Sequence, residues 1–363
     1  MTGRGIDQVL PHSSEPTLYE PYVRDARQYV ALAERAHGPI PRPVDWAYIW
    51  GDALAVWERM RPDIKLINLE TSVTQSDTPW PGKAIHYRMH PANIACLTVA
   101  GINCCTLANN HTLDWGYDGL SETLATLAKA RIQTAGAGPN LTAASAPVPL
   151  AAPDILAGKG HRRVLVLAYG SASSGIPLEW AATETRPGVQ MIAEKDPTAA
   201  QLVGEQVRRV KRDGDIVIAS IHWGSNWGFE VPPEQRTFAH RLIDEAGVDV
   251  VHGHSSHHVK GIEVYQGKPI LYGCGDFLTD YEGIKGYEAF RGDLSLMYFV
   301  QFAPTTGKLA AMHMMPTHME RFQVRLAAKE DALWLCNTLN REGKAFETRV
   351  ERGEDNMLTL RWG

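Results

Sequence analysis

Cysteine is scarce and poorly spaced for structural chemistry. Cys96, Cys104, Cys105, Cys274 and Cys336 form an odd set of five with no CxxC pair, which excludes a disulfide framework and a thiolate zinc knot. Reduced thiols in a cytoplasm fit better. Long apolar runs are also missing: no stretch approaches the roughly 20 residues that a bilayer-crossing helix needs, and the opening MTGRGIDQVLPHSS holds no apolar signal core. The expectation is a soluble, cytoplasmic protein with no membrane partner. Nor is there a basic block. With 36 Lys and Arg against 41 Asp and Glu, the formal charge is −5, so phosphate neutralisation is not a binding mode here and no nucleic-acid partner is expected. Internal repeats and low-complexity linkers are absent too, and the Pro-rich GPIPRP (38–43) and PWPG (79–82) read as ordered loops or lids.

What the chain does contain is core. Its 363 residues are 44% apolar and 21% charged, the balance of a globular protein able to bury a sizeable interior. Near-continuous apolar runs mark strands buried on both faces: IKLINLE (64–70), INCCTLANN (102–110), IQTAGAG (132–138), VLVLAYG (164–170), DIVIASIHWG (215–224) and VDVVHGH (248–254). Between them, 118–131 and 198–214 carry apolar residues at three-to-four spacing with basic residues near their ends, as helices do. This alternation predicts an α/β fold. Later, 267–277, 294–302 and 308–316 follow one another across short polar gaps, as antiparallel strands do, and 329–346 reads as a C-terminal helix. One catalytic domain over 1–363 is expected, with 329–363 a helix and tail packed on it.

Four of these strands end in ligand-capable residues: Asn68 and Glu70; Asn109, Asn110 and His111; His222; His252 and His254. In open α/β sheets, ligands and catalytic groups gather beyond the carboxyl ends of strands, where loops converge on a rigid support. A lone histidine at a strand end is ordinarily a hydrogen-bonded structural residue; four polar clusters at one edge are a constellation. Imidazole, carboxylate and amide oxygen suit one or two divalent ions (Zn, Mn, Fe, Ni or Ca), and the clusters contain no thiolate. His252 and His254, two apart on an extended segment, share a side of the strand and read as a metal pair. His257 and His258, on the loop beyond, read as proton carriers near substrate. Asn109 is expected to hold the turn, leaving Asn110 the ligand. His12, His37, His90, His161, His240, His313 and His318 are taken as surface or packing residues, as is His86 unless it lines a substrate lid. Among the aromatics of 45–52 and 222–230, Trp50, Trp223 and Trp227 are expected to contribute to a pocket for a bulky side chain.

INLETSVT, LANNHTLDWGYDGL, IHWGSNWG and VDVVHGHSSHHVKGIEVYQGKPILYGCGDF resemble the CapA-type proteins, named for poly-γ-glutamate capsule synthesis and placed in the metallophosphoesterase-like (calcineurin-like) superfamily. The resemblance runs in order over most of the chain. It implies a four-layer α/β/β/α sandwich with mixed sheets and a one- or two-metal centre at the sheet edge. Glu70 would bridge, Asn110 and His222 would ligate, and two histidines of HGHSSHH would complete the set, His252 and His254 foremost and His257 as substitute. His111 would be the acid–base group. Two departures stand out. Such proteins open with an apolar strand ending in a ligating Gly-Asp, whereas this sequence starts at Met1 just past that place, so the first metal position is expected to be incomplete. The common GxHPH signature appears here as GHSSHH. A branch of the family is associated with lasso-peptide biosynthesis, and on that resemblance the leading expectation is metal-dependent epimerisation of a C-terminal Trp in a peptide substrate, with histidines removing and returning the α-proton. The alternatives are metal-dependent hydrolysis of phosphoesters or γ-glutamyl amides, and a non-catalytic capsule-assembly role. The sequence sets no oligomeric state.

Overall fold

A computed structural model describes residues 1–151, 163–303 and 306–363; His161 lies outside the described residues. The strands that carry the polar clusters fall where the apolar runs place them. Leu66–Asn68, Cys104–Thr106 and Gln133–Ala135 form a parallel three-stranded sheet. A second sheet of six strands runs in the order Ile262–Tyr265, Lys268–Leu271, Val250–His254, Ile216–His222, Arg163–Gly170, Val148–Ala151. Its four inner strands are parallel, and both edge strands pair antiparallel.

Strand alternation decides what each face of the six-stranded sheet meets. Leu165, Leu167, Val217, Ala219, Ile221 and Val251 point to one side and pack with Val203, Val207, Phe238 and Leu242 of the helices Ala199–Val210 and Pro233–Asp244. Val166 and Ala168 point to the other side and share a core with Cys104, Cys105 and Ala135 of the three-stranded sheet. The helix Gly116–Lys129 adds Leu120 and Leu127 to that core; Asp118 in its first turn and Lys129 in its last complement the helix dipole. Several sheets and helices thus share these cores in a mixed α/β arrangement. His222, His252 and His254 occupy the alternate positions, so all three face the inner layer.

The chain beyond 290 builds a five-stranded antiparallel sheet from Leu294–Phe302, Leu309–Glu320, Gln323–Leu326, Thr348–Arg352 and Leu358–Trp362, with the helix Lys329–Gly343 against it. The expected tail is therefore a correction: 348–362 is a β-hairpin whose second strand pairs with Leu309–Glu320. Its alternating charged and apolar residues let one face bury Val350, Leu358 and Leu360 while the other stays wet. Among the described residues no helix is long and apolar enough to cross a membrane.

Candidate metal centre

His222 closes its strand in register with His254. The imidazoles share a hydrogen bond, Nδ1 to Nδ1, at 2.8 Å. His254 Nε2 lies 2.9 Å from Ser220 Oγ, which also meets His252 Nδ1 at 2.9 Å and donates to Thr106 Oγ1 across the sheet interface at 3.2 Å. Burial holds His222 and His254 well below the ordinary imidazole range and takes His252 down to about 4, so each ring is neutral and carries one proton. The proton positions then follow in sequence. Ser220 spends its hydroxyl proton on Thr106, so His252 and His254 both donate to it. His254 Nδ1 is thereby an acceptor, and His222 Nδ1 donates to it. What remains on His222 is a bare Nε2 lone pair, buried and without a partner.

That lone pair faces a carboxylate. Glu70 Oε1 is 4.0 Å from His222 Nε2, while Oε2 accepts from Asn68 Nδ2 at 2.9 Å. Burial pushes the Glu70 carboxyl up to about 7, with the nearby charge of His257 pulling it back. Asn109 ties the clusters together: its Nδ2 donates to Asn68 Oδ1 at 3.0 Å and to the Leu69 carbonyl at 2.9 Å, and its Oδ1 accepts from the His111 backbone N–H at 3.1 Å. Asn110 Oδ1 is a second buried acceptor with no partner. Two unpaired buried acceptors and a carboxylate, at or just beyond strand ends of the two sheets, are costly without a cation or proton to satisfy them.

His111 stands beside this group with its own supports. Its Nδ1 is 2.7 Å from Asp114 Oδ2, an oxygen that also accepts from the Tyr87 backbone N–H at 2.6 Å. Lys83 Nζ lies 2.6 Å from Asp114 Oδ1 and 3.2 Å from His111 Nδ1. Burial takes the His111 imidazole down to about 4 against the pull of Asp114, so at neutral pH its single proton sits on Nδ1 and Nε2 is free to accept one. His257 is the contrasting ring: burial opposes its charge, but Asp276 at 3.0 Å and Glu70 hold its pKa above the ordinary imidazole value. Lys83, Asp114 and Asp276 were missed from the sequence. Asp114 has a legible signal in its i+3 spacing from His111, and Asp276 ends a GCGD turn; nothing local marks Lys83.

Several expected site residues are placed elsewhere. Both nitrogens of His258 are taken by backbone, Nε2 accepting from Gly228 N–H at 3.1 Å and Nδ1 donating to the Val259 carbonyl at 3.0 Å, which leaves none for the proton-carrying role expected of it. Trp50 sits in the core with its indole N–H on the Cys96 carbonyl. Trp223, one residue past His222, points to the opposite face, and its indole N–H meets the Tyr272 carbonyl. Neither lines the centre. His86 is buried against Tyr19 and Trp115 with Nε2 on the Trp80 carbonyl. Trp227 alone among the expected aromatics flanks the histidines, 5.4 Å from the His257 ring and stacked on Tyr287 at 4.1 Å. His252 lies two residues below His254 in the inter-sheet layer. Among the described residues, no three His, Cys, Asp or Glu side chains close on one ion-sized point. Both nitrogens of His254 and Nδ1 of His257 are bonded within the protein, whereas His222 Nε2 and Asn110 Oδ1 are buried without a partner.

Residues 1–281 match the family described as bacterial capsule synthesis protein PGA_cap. The chain belongs to this family. A PGA_cap relative described as a "probable polyglutamine synthesis accessory protein" of Mycobacterium tuberculosis is 50% identical over 364 aligned positions, covering 99% of this chain and 93% of its own. The "PGA biosynthesis protein CapA" of Bacillus subtilis is 28% identical over 237 residues, 64% of this chain and 57% of its own. The "capsule biosynthesis protein CapA" of Bacillus anthracis is 26% identical over 198 residues, 54% and 45%. The matched PGA_cap segment takes in every polar residue of the centre and ends before the antiparallel sheet. The names of these relatives speak of polyglutamine, PGA and capsule, and the lasso-peptide expectation finds no support among them.

Proposed function

We propose that this PGA_cap protein is a metal-dependent hydrolase of amide bonds in a glutamate-type polymer, acting in capsule-related polymer synthesis. The reading rests on one observation: the bare, buried His222 Nε2 faces the Glu70 carboxylate at 4.0 Å, and Asn110 Oδ1, in the loop after the strand Cys104–Thr106, is likewise buried without a partner. Neutral imidazole, amide oxygen and carboxylate suit a borderline-to-hard divalent ion. On this reading His222, Asn110 and Glu70 hold the ion, the metallophosphoesterase-like sandwich is the frame, and the relatives' names give the substrate class. A cation bound there supplies Lewis-acid polarisation of the scissile carbonyl. The protein's own groups handle the proton. Asp114 and Lys83 fix His111 so that its bare Nε2 points away from them, free to take a proton from the attacking water and then return it to the departing amine. His257, whose charged form Asp276 favours, stabilises negative charge developing at the carbonyl oxygen.

Incubation with Mn²⁺ and poly-γ-glutamate tests the proposal. New amino termini, detected by amine-reactive fluorescence and abolished by chelator, are expected. Release of phosphate from phosphoesters with no new amine from the polymer would reassign the reaction. Deuterium entering a peptide α-carbon in heavy water, with no cleavage, would restore epimerisation.

A further inference from the structure

A buried cation lies behind the centre and touches none of the residues assigned to it. Arg4 comes from the opening GRG. Its backbone is held at φ +53°, a left-handed conformation uncommon for arginine, with its N–H on the Arg88 carbonyl at 3.1 Å. The flanking glycines explain the motif: a Cβ on Gly3 would stand 2.5 Å from Thr71 Oγ1, and one on Gly5 would stand 2.8 Å from Tyr29 Cβ. The guanidinium is fully engaged. Nε and Nη2 meet the two Asp280 oxygens at 2.8 and 2.6 Å, and Nη1 meets Glu20 at 2.8 Å. Its Cζ lies over three rings, 3.6 Å from the Tyr29 centre, 4.6 Å from Tyr87 and 5.6 Å from Tyr281.

Two of those tyrosines reach the centre. The Tyr87 ring meets His111 edge-on at 4.5 Å and 87°, and the Tyr281 ring meets His257 edge-on at 5.3 Å and 72°. The hydroxyls of Tyr87 and Tyr281 are joined at 3.1 Å. One planar cation therefore backs two aromatic rings, and each ring backs one of the imidazoles assigned to proton and charge handling.

We propose that Arg4 is a positioning residue, which sets the spacing of His111 and His257 through Tyr87 and Tyr281. A planar, bidentate cation suits the task because its face carries the rings while its edge is locked by carboxylates. Lysine at this place keeps the charge and loses both faces and the fork. The functional meaning of that spacing rests on the hydrolase reading; the coupling itself does not.

Ring-resolved NMR of labelled histidines tests the coupling on the full chain without added metal or substrate, with signals assigned from His111→Ala and His257→Ala. In Arg4→Lys, the His111 and His257 ring signals should both move while those of the distant His240 and His313 stay. Because Arg4→Lys risks misfolding, Tyr281→Phe is the deciding variant. It removes the oxygen that bonds Tyr87 Oη, and of the two imidazoles the Tyr281 ring meets only His257, so movement of the His111 signals is the expected sign of transmission through Tyr87. A folded Tyr281→Phe protein in which His257 moves and His111 does not would overturn the proposal, as would a folded Arg4→Lys protein with both rings unmoved. Neither result depends on whether the protein cleaves an amide, so the two readings fail separately.

Discussion

Asp114 is where the chemistry at the centre is most exposed to a single-atom change. Its Oδ2 accepts from His111 and from the Tyr87 backbone, and Oδ1 faces Lys83. Asp114→Asn presents an amide in place of one oxygen, weakens the Lys83 contact and frees the His111 ring to change tautomer. Such outer partners of a catalytic imidazole are worth roughly 10- to 100-fold in activity. Polymer hydrolysis by Asp114→Asn should fall by about that factor with Mn²⁺ binding by calorimetry unchanged; unchanged turnover would remove Asp114 from the mechanism. The histidines and amides were legible in the sequence because they end apolar runs. The roles of His258, Trp50 and Trp223 were not, because they depend on where a ring points after the chain turns, and sequence spacing carries no such information.

Gly253 makes the corresponding point for elements. It separates His252 from His254 on a strand whose other face packs on helices, and a Cβ there would stand 2.5 Å from the Leu271 carbonyl and 2.6 Å from Trp223 Nε1. Two of the three nearest neighbours are backbone oxygens, so the clash is not relieved by turning a side chain. Gly253→Ala should lose at least about 2 kcal/mol by chemical denaturation, within the range for overpacked cores, and a neutral result would show the strand free to shift. Strand positions were legible from apolar runs, since strands buried on both faces have little else in them. The hairpin 348–362 was not, because TRVER and LTLRW mix charge with apolar residues at a period of two over very short spans.

Across the whole molecule, the layers are stitched at their edges by charge. Buried Glu263, on the Ile262–Tyr265 edge strand, accepts from Arg236 at 2.8 Å and from Tyr272 Oη at 2.6 Å and lies 3.0 Å from His240, joining the Pro233–Asp244 helix to the sheet. Burial opposes its charge, but these partners outweigh burial and hold the carboxyl below the ordinary glutamate range. The folded state thus favours the carboxylate. Its contribution is complete above that range and is lost as pH falls through the depressed value. Glu263→Gln should cost about 1–3 kcal/mol near neutral pH and flatten the acid limb of stability against pH; an unchanged acid limb would mean that the cluster does not report on folding. The family match and the four strand-end clusters were both legible from sequence, whereas the Arg4 cage joins residues 4, 20, 87 and 280 and exists only once the chain is folded.

The proposed chemistry requires His222, Asn110 and Glu70 to receive a cation while His111 stands beside it. Calorimetric titration of Mn²⁺ into the wild-type chain, His222→Ala and His111→Ala tests this directly. Binding by the wild type, retained in His111→Ala and lost in His222→Ala, is the predicted result. No binding by the wild type, or equal loss in both variants, would contradict it.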